Sequence, residues 1–279
     1  MTYKIVVDSC CELPENYKND SRFEIVPLGL EVGDYVIQDD DNFNQKEFLQ
    51  KVADYPQCPK SSCPSPERFR EAYHEGAAEE IYAVTLSSHL SGSYNSAELG
   101  KSLYSEKYGE KKIHVVDSES ASCGETQLVE KIVACKEAGL NFEETVKEVE
   151  TFKRQMRTYF VLDNLETLRK NGRLSGVKAF VASTLNIKPV MVGNWGVIEQ
   201  KGQAVGINKA LARMADYIVG DVENPEERTL MITHCNCQER AEYMRSLMEK
   251  RASYKEVLIM DTAGVSSMYA NDGGVIVTL

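Results

Sequence analysis

The sequence lacks any apolar run of the roughly 18–20 residues that a membrane span requires. Its first ten residues, MTYKIVVDSC, hold only three consecutive apolar residues before an aspartate, which is far short of a signal-peptide core. We therefore expect a cytoplasmic protein with no transmembrane segment.

An excess of positive charge is also missing. The 279 residues include 43 acidic and 32 basic side chains, for a net charge of -11. Nucleic-acid-binding proteins need a basic face, because neutralising phosphates supplies most of their affinity. The composition therefore argues against nucleic acid as a partner.

Cysteines are present, but neither a disulfide framework nor a metal site follows from them. The eight cysteines lie in a long chain without an export signal, which favours reduced thiols. The segment THCNC, with His234, Cys235 and Cys237, lacks the Cys-x2-4-Cys spacing and the second pair of a zinc site. We therefore assign no metal ligands.

The length and the strand pattern indicate two domains. At 279 residues the chain is long for one hydrophobic core. In the first half, the β-branched runs KIVV, IYAVTL and IHVV each lead through a polar turn into a helical pattern. This alternation predicts a parallel sheet in a three-layer α/β domain over residues 1–155.

The second half, residues 156–279, reads differently. Six runs predict strands, and GNWG predicts a hairpin turn between the second and the third: YFVLD, PVMV, GVIEQ, TLMIT, EVLIM and GVIVTL. Two amphipathic helical patterns separate the later runs. We expect an α+β domain with an antiparallel or mixed sheet and helices on one face. A segment that crosses between the domains remains an open alternative.

Several polar turns follow predicted strands. Asp8-Ser9, Ser87-Ser88 and Asp117-Ser118 come directly after the three strands of the first domain, and KSSCPSP precedes a helix that Ser65 would cap. Ligands of open parallel sheets bind at the carboxyl ends of the strands. Hydroxyls and helix N-terminal N–H groups there suit an anionic or carbonyl oxygen, although such residues also favour turns for purely structural reasons.

The segment SSHLSGSYNSA, residues 87–97, leaves three interpretations: a serine nucleophile, a phosphate loop, or a turn that holds another ligand's head group. The G-x-S-x-G elbow and the G-x-x-x-x-G-K-[ST] loop are both absent. His89 lies two residues from Ser91, yet no acidic partner for a triad is evident. We therefore favour a ligand-binding role over a catalytic one for Ser91, Gly92 and Ser93.

The order of several motifs resembles the DegV family over the whole chain. The motifs are VDSCCELP, IVPLGLEVGDYVIQD, KSSCPSPERFREAY, SSHLSGSYNSA, VVDSESASCG, FVLDNLETLRKNGRLSG and LNIKPV. The most specific are SSxLSGSYxSA and the pair LxxLRKxGRLSG and LNIKP. The resemblance implies two α/β domains with a fatty acid in a tunnel between them and its carboxylate at the serine-rich turns.

The resemblance also assigns residues and a partner. Ser61, beside Ser62, takes the place of the family's usual threonine, Ser91 matches the serine that contacts the carboxylate, and Arg173 matches an arginine near the head group. It implies a non-catalytic protein whose ligand is a long-chain fatty acid, without a cofactor, and which can present that acid to a separate fatty acid kinase.

Two positions depart from the family's pattern. Val205 stands at the position of an expected arginine, and Tyr269 stands at the position of an expected histidine. Losing a cation and an imidazole should weaken stabilisation of a phosphorylated head group, so altered or absent kinase coupling is expected. The alternatives are a serine hydrolase that uses Ser91 with His89, or a binder of another apolar acid.

Overall fold

The computed structural model describes residues 2–174 and 186–279. Parts of two quoted motifs, residues 175–176 and Leu185, lie outside the described residues. The strands are β1 (Tyr3–Asp8), β2 (Phe23–Val26), β3 (Gly29–Val32), β4 (Tyr35–Gln38), β5 (Lys60–Ser62), β6 (Glu80–Thr85), β7 (Lys112–Asp117), β8 (Thr158–Val161), β9 (Ile187–Asn194), β10 (Val197–Val205), β11 (Thr229–His234), β12 (Glu256–Asp261) and β13 (Val275–Thr278). The helices are α1 (Glu15–Lys18), α2 (Gln45–Asp54), α3 (Pro66–His74), α4 (Ser93–Tyr108), α5 (Cys123–Glu137), α6 (Phe142–Gln155), α7 (Glu166–Lys170), α8 (Ile207–Asp221), α9 (Gln238–Glu249) and α10 (Gly264–Ala270).

The first sheet is parallel, with strand order β2-β1-β6-β7. Every residue of β6 is buried, since helices cover both faces of this sheet. This explains why IYAVTL shows no polar alternation. The α/β fold class expected from the strand-turn-helix pattern is confirmed.

The second sheet is mixed, with strand order β10-β9-β8-β13-β11-β12. Its six strands are those expected from the sequence, and the GNWG turn joins β9 to β10 as an antiparallel hairpin. Trp195 and Gly196 both have positive φ, at 50° and 81°, as the right-handed twist of a hairpin favours. Helices α8 and α9 pack on one face of this sheet.

The helix starts follow the expected capping chemistry. Ser65 accepts a hydrogen bond from the N–H of Arg68, and Pro66 occupies the first helical position. Asn141 and Glu144 form a reciprocal capping box at the start of α6. Among the described helices, none has the length and the apolarity needed to cross a bilayer.

A third sheet, β4-β3-β5, was not predicted. Its strands have only three or four residues, and β5 is the segment KSS, which we expected to be a polar turn. That prediction is wrong, because Ser61 and Ser62 pair with Leu30 and Gly29 of β3. The pairing gives Ser61 and Ser62 opposite orientations, since successive strand residues point to opposite faces.

Helix α5 lies between the parallel and the mixed sheet, and most of its residues are buried. Gln127 donates hydrogen bonds to the carbonyl oxygens of Thr229, at 2.6 Å, and Thr278, at 3.3 Å. All strands of the parallel sheet precede residue 155, and all strands of the mixed sheet follow it. We keep a division into residues 1–155 and 156–279 as a proposal.

Candidate functional site

Asp8, at the carboxyl end of β1, holds the first polar loops together. Its buried carboxylate accepts hydrogen bonds from the N–H groups of Cys10 and Leu86 and from the hydroxyl of Ser93, at 3.1, 3.0 and 2.5 Å. Burial raises the pKa of Asp8. These bonds join the ends of β1 and β6 to the first residue of α4, so Asp8 and Ser93 support the site rather than line it.

The other predicted strand-end residues also bond to backbone groups, some in their own turn and some in a neighbouring loop. The Ser9 hydroxyl accepts from the N–H of Leu28, and the Asp117 carboxylate accepts from those of Ser88 and Glu119. The Ser118 hydroxyl donates to the carbonyl oxygen of Ser120. The cavity described below is not lined by Ser9, Asp117 or Ser118. Their hydrogen bonds instead hold the loops that surround it.

The cavity lies between the parallel sheet, the mixed sheet and α10. The space between protein atoms here totals about 850 Å³, a value that includes space open to solvent. Most of its lining is apolar: Cys10, Leu28, Leu86, Leu90, Ala121, Phe160, Leu162, Leu168, Gly193, Gly196, Ile198, Val265, Ala270 and Ile276. Among the described residues, its lining contains a single charged side chain, that of Arg173.

Four predicted residues meet at one end of this cavity, which we call the polar end (Ser61, Ser91, Arg173 and Tyr269). The hydroxyls of Ser61 and Tyr269 share a hydrogen bond of 3.0 Å. The guanidinium carbon of Arg173 lies 5.7 Å from the centre of the Tyr269 ring, within the range of a cation–π contact. Ser91 also lines the cavity. The structure thus brings together residues from β5, α10 and two loops.

The polar end keeps hydrogen-bond donors for a ligand. The Ser91 hydroxyl accepts from the N–H of Ser93 at 3.2 Å, so its own proton is available. The Ser61 and Tyr269 hydroxyls hold two protons, and their mutual bond uses one. Arg173 donates Nε to the Leu90 carbonyl at 3.1 Å and Nη1 to the Asn171 carbonyl, and Nη2 has no hydrogen-bond partner among the described residues.

The electrostatics of the polar end favour an anion. No aspartate or glutamate lines the described cavity, and Arg173 forms no ion pair within the described part of the chain. Burial raises the pKa of Tyr269, while its bond to Ser61 and the nearby Arg173 charge offset part of that rise. Tyr269 is therefore a neutral donor beside a guanidinium, a combination that suits a carboxylate oxygen.

The remaining predicted residues do not line the cavity. Ser62 is exposed on the other face of β5, and Gly92 precedes the first residue of α4. A Cβ atom on Gly92 would lie 3.1 Å from the sulfur of Cys63, so this glycine allows close packing of the loop on β5. His89 is exposed, and none of its imidazole atoms bonds to Ser91 in the described structure, which leaves Ser91 without a general base.

Val205 is not part of the cavity. It lies at the end of β10, paired with Ile187, and its side chain is 60% exposed beside Lys209 and Arg213. Tyr269, in contrast, belongs to the polar end. Of the two positions that depart from the family's pattern, Tyr269 therefore lies at the polar end and Val205 lies outside the cavity.

The sequence interpretation missed most polar residues farther along the cavity. Ser120 shares a 2.6 Å bond with Thr158, and Ser122 donates to Glu12 at 2.7 Å. Ser266, on α10, lies 3.6 Å from the Cys10 sulfur. The segment DSESAS contains Ser120 and Ser122, but the rule that ligands bind at strand ends selects only its first two residues, Asp117 and Ser118. Nothing local indicates Ser266, whose position depends on how α10 packs.

Two buried carboxylates hold α10 in place. Asp39 accepts from the N–H groups of Gly264 and Val265, at 2.7 and 2.8 Å, and Glu12 accepts from the N–H of Ala263 at 3.1 Å. These are the free N–H groups of a helix start. Burial raises the pKa of Glu12 to about 7 and that of Asp39 to about 6. A wall of the cavity thus depends on two acids from the first 39 residues of the chain.

Together the fold and the cavity define a class: a protein with a parallel and a mixed sheet, an apolar cavity between them, and an arginine with hydroxyl groups at one end. The family model described as "Uncharacterised protein, DegV family" matches residues 2–278. A DegV domain-containing protein of Streptococcus gordonii is 33% identical over 279 residues, which cover 99% of this chain and 98% of that protein. The chain belongs to the DegV family.

Two solved structures are similar over the whole chain. A DegV family protein from Ruminococcus gnavus, refined with vaccenic acid, has 52% identity and a TM-score of 0.97, with 100% of both chains covered. The Fatty Acid Kinase (Fak) B3 protein of Streptococcus pneumoniae, loaded with linoleic acid, has 31% identity and a TM-score of 0.87, with 100% of this chain and 99% of that chain covered.

Proposed function

We propose that this protein is a non-catalytic carrier that binds a long-chain fatty acid in the cavity, with the carboxylate at the polar end. One observation carries the proposal: the described lining is apolar except for hydroxyls and one guanidinium, and that guanidinium stands with hydroxyl donors at one end. The relatives from Ruminococcus gnavus and Streptococcus pneumoniae, which hold vaccenic and linoleic acid, support it.

The energetics are consistent with tight binding. Each buried methylene contributes about 0.8 kcal/mol, so a chain of about 16 carbons gains about 12 kcal/mol before the costs of association. A bare carboxylate cannot be buried without partners. Ser61, Ser91, Tyr269 and Arg173 supply hydroxyl and charge-assisted hydrogen bonds that compensate for the lost water.

Denaturing the purified protein, extracting it with solvent and weighing the extract by mass spectrometry tests this function. We expect about one long-chain fatty acid per chain, and the delipidated protein should take up an added fatty acid to the same level. Another apolar acid in the extract would support the alternative ligand class. An empty extract together with no uptake of added fatty acid would contradict the proposal.

A hydrolase that uses Ser91 is not favoured, because no base contacts that hydroxyl in the described structure. We expect no turnover of p-nitrophenyl acyl esters by the wild type, and an unchanged background rate in Ser91→Ala. Ser91→Ala should weaken fatty-acid binding by about tenfold or more, as expected for the loss of one hydrogen bond to a charged group. Ester turnover that Ser91→Ala abolishes would support the hydrolase instead.

We further propose that this carrier couples only weakly to a fatty acid kinase. Tyr269 of the polar end stands where the family pattern leads us to expect an imidazole, and the exposed Val205 stands where it leads us to expect a cation on the surface. With a fatty acid kinase, the double variant Val205→Arg/Tyr269→His should form acyl phosphate at least about tenfold faster than the wild type. The measurement is acyl phosphate formation at saturating bound acid.

The exposed valine Val36, which is 66% exposed on β4, offers a matched control for adding surface charge. Val36→Arg should leave the kinase rate unchanged. Wild-type rates equal to those of the double variant would refute weak coupling without affecting the assignment of fatty-acid binding.

A further inference from the structure

One side of strand β8 runs along the cavity. Thr158, Phe160 and Leu162 line it, whereas Tyr159 and Val161 point to the other face and pack in the cluster under α8 and α9. Leu162 lies near Ala270, next to Tyr269 of the polar end. Four residues at about 3.3 Å each place Thr158 about 13 Å farther along the strand. Thr158 therefore marks the end of the cavity that is distant from the polar end.

Gly193 lies beside Thr158 at this distant end. It pairs with Thr158 on one side and with Ile198 on the other. Met191, two residues earlier on β9, packs with Phe160 and Leu162 on the cavity side of the sheet. Because strand residues alternate between faces, a side chain at position 193 would point into the cavity.

The space at Gly193 is open. A Cβ atom there would meet nothing closer than the Cβ and carbonyl oxygen of Thr158, both at 3.8 Å, which is ordinary contact. Its φ lies outside the left-handed region, so other residues fit the backbone. Gly196 differs, because it has φ of 81° and a Cβ atom there would lie 2.5 Å from the Ser87 hydroxyl oxygen.

The polar groups of the distant end are already paired with one another. Ser87 donates to the Gly196 carbonyl at 2.9 Å, which ties the β9–β10 hairpin to the loop after β6. The Thr158 and Ser120 hydroxyls bond to each other at 2.6 Å. This end therefore requires no polar ligand group, and a methyl terminus fits it.

We propose that Gly193 sets the length of the acyl chain that the cavity accepts, because its missing side chain leaves the room that the last carbons occupy. The inference rests on the proposed fatty-acid binding and adds a residue that determines its specificity for acyl-chain length. A larger residue at position 193 would occupy that room, and the carboxylate cannot retreat because the polar end holds it. The longest acids would then no longer fit in the cavity, whereas shorter acids would still fit.

Gly193→Val tests the inference, with Gly193→Ala as a milder variant that keeps the test usable if valine impairs folding. Binding constants are measured for acids of about 12 to about 18 carbons on delipidated protein. We expect Gly193→Val to bind the longest acids at least about tenfold more weakly relative to acids about two carbons shorter. Gly193→Ala should shift the same preference by about one carbon.

Glu199→Val is the control, because it adds the same side chain at an exposed position of β10. It should keep the wild-type length profile. If the wild type binds fatty acid and both Gly193 variants keep its profile, the inference is overturned while the proposed function stands. If the wild type binds no fatty acid of any length, the proposed function itself has failed.

Discussion

Arg173→Met is expected to weaken fatty-acid binding by about 100-fold. Removing one partner of a buried, hydrogen-bonded charge pair costs about 2–5 kcal/mol, and about 1.4 kcal/mol corresponds to a factor of ten. The loss should be large here because Arg173 is the only charged side chain in the described lining. Methionine keeps most of the apolar stem, so the change isolates the charge. Displacement of a fluorescent fatty acid measures the effect.

Arg169→Met is the matched control, because Arg169 lies four residues earlier and pairs with exposed Glu166 at 2.7 Å. It should change affinity by less than about twofold. A fatty acid methyl ester gives a second control, since it lacks the negative charge. The wild type should bind the ester far more weakly than the acid, and Arg173→Met should bind both alike. Equal affinity of wild type and Arg173→Met for the acid would contradict this role of Arg173.

The delipidated protein is expected to be more stable at about pH 5 than at about pH 7.5. Glu12 has a native pKa of about 7 against an ordinary value of 4.5, and Asp39 has about 6 against 3.8. Between the ordinary and the raised pKa, the native state holds protons that the unfolded chain has released. The contribution of these two groups to the free energy of unfolding is therefore greatest below about pH 4.5, and it declines as the pH rises to about 7.

Two further buried acids act in the same direction. Burial raises the pKa of Glu125 well above its usual range and also raises that of Asp8. Neither carboxylate oxygen of Glu125 has a hydrogen-bond partner in the described structure. For Glu12 alone, the rise from 4.5 to about 7 corresponds to a loss on the order of 3 kcal/mol.

Urea unfolding at the two pH values measures this loss. Glu12→Gln should reduce the difference between them, because glutamine keeps an acceptor for the Ala263 N–H but does not titrate. Glu15→Gln, a change at an exposed neighbour that pairs with Lys18, should leave the difference unchanged. Equal stability of the wild type at both pH values, or an unaltered difference in Glu12→Gln, would contradict the assignment.

A strand was predictable where its own residues identify it, and not where only its pairing with another strand makes it one. The six strands of the mixed sheet and the three longer parallel strands each contain a run of β-branched, aromatic or other apolar residues, and each run is recognisable by itself. The small sheet is not. Strand β5 is three residues of Lys and Ser, and only its pairing with β3 makes it a strand.

The candidate site was predictable in part, and for two different reasons. Ser61, Ser91, Arg173 and Tyr269 came from motifs, and the structure brings them together. The strand-end rule instead selected Asp8 and Asp117, whose oxygens are occupied by backbone N–H groups of neighbouring loops. A side chain's hydrogen-bond partners decide whether it lines or supports a site, and those partners are distant in sequence.

The cavity walls depend even more on contacts between distant segments. Ser266 and Val265 line the cavity because Asp39 and Glu12, more than 220 residues earlier, accept hydrogen bonds from the start of α10. No local pattern indicates that relation. The same holds for Gly193, whose importance arises only from its pairing with Thr158 at the distant end.

The most direct test of the account is carbon NMR of a fatty acid labelled with ¹³C at its carboxyl, bound to the wild type and titrated with acid. We expect the bound carboxyl to stay ionised to a lower pH than the same acid in detergent micelles, because Arg173 and the hydroxyl donors of the polar end stabilise its charge. A bound carboxyl that takes up its proton at the micellar pH or above would contradict a carboxylate held at Arg173.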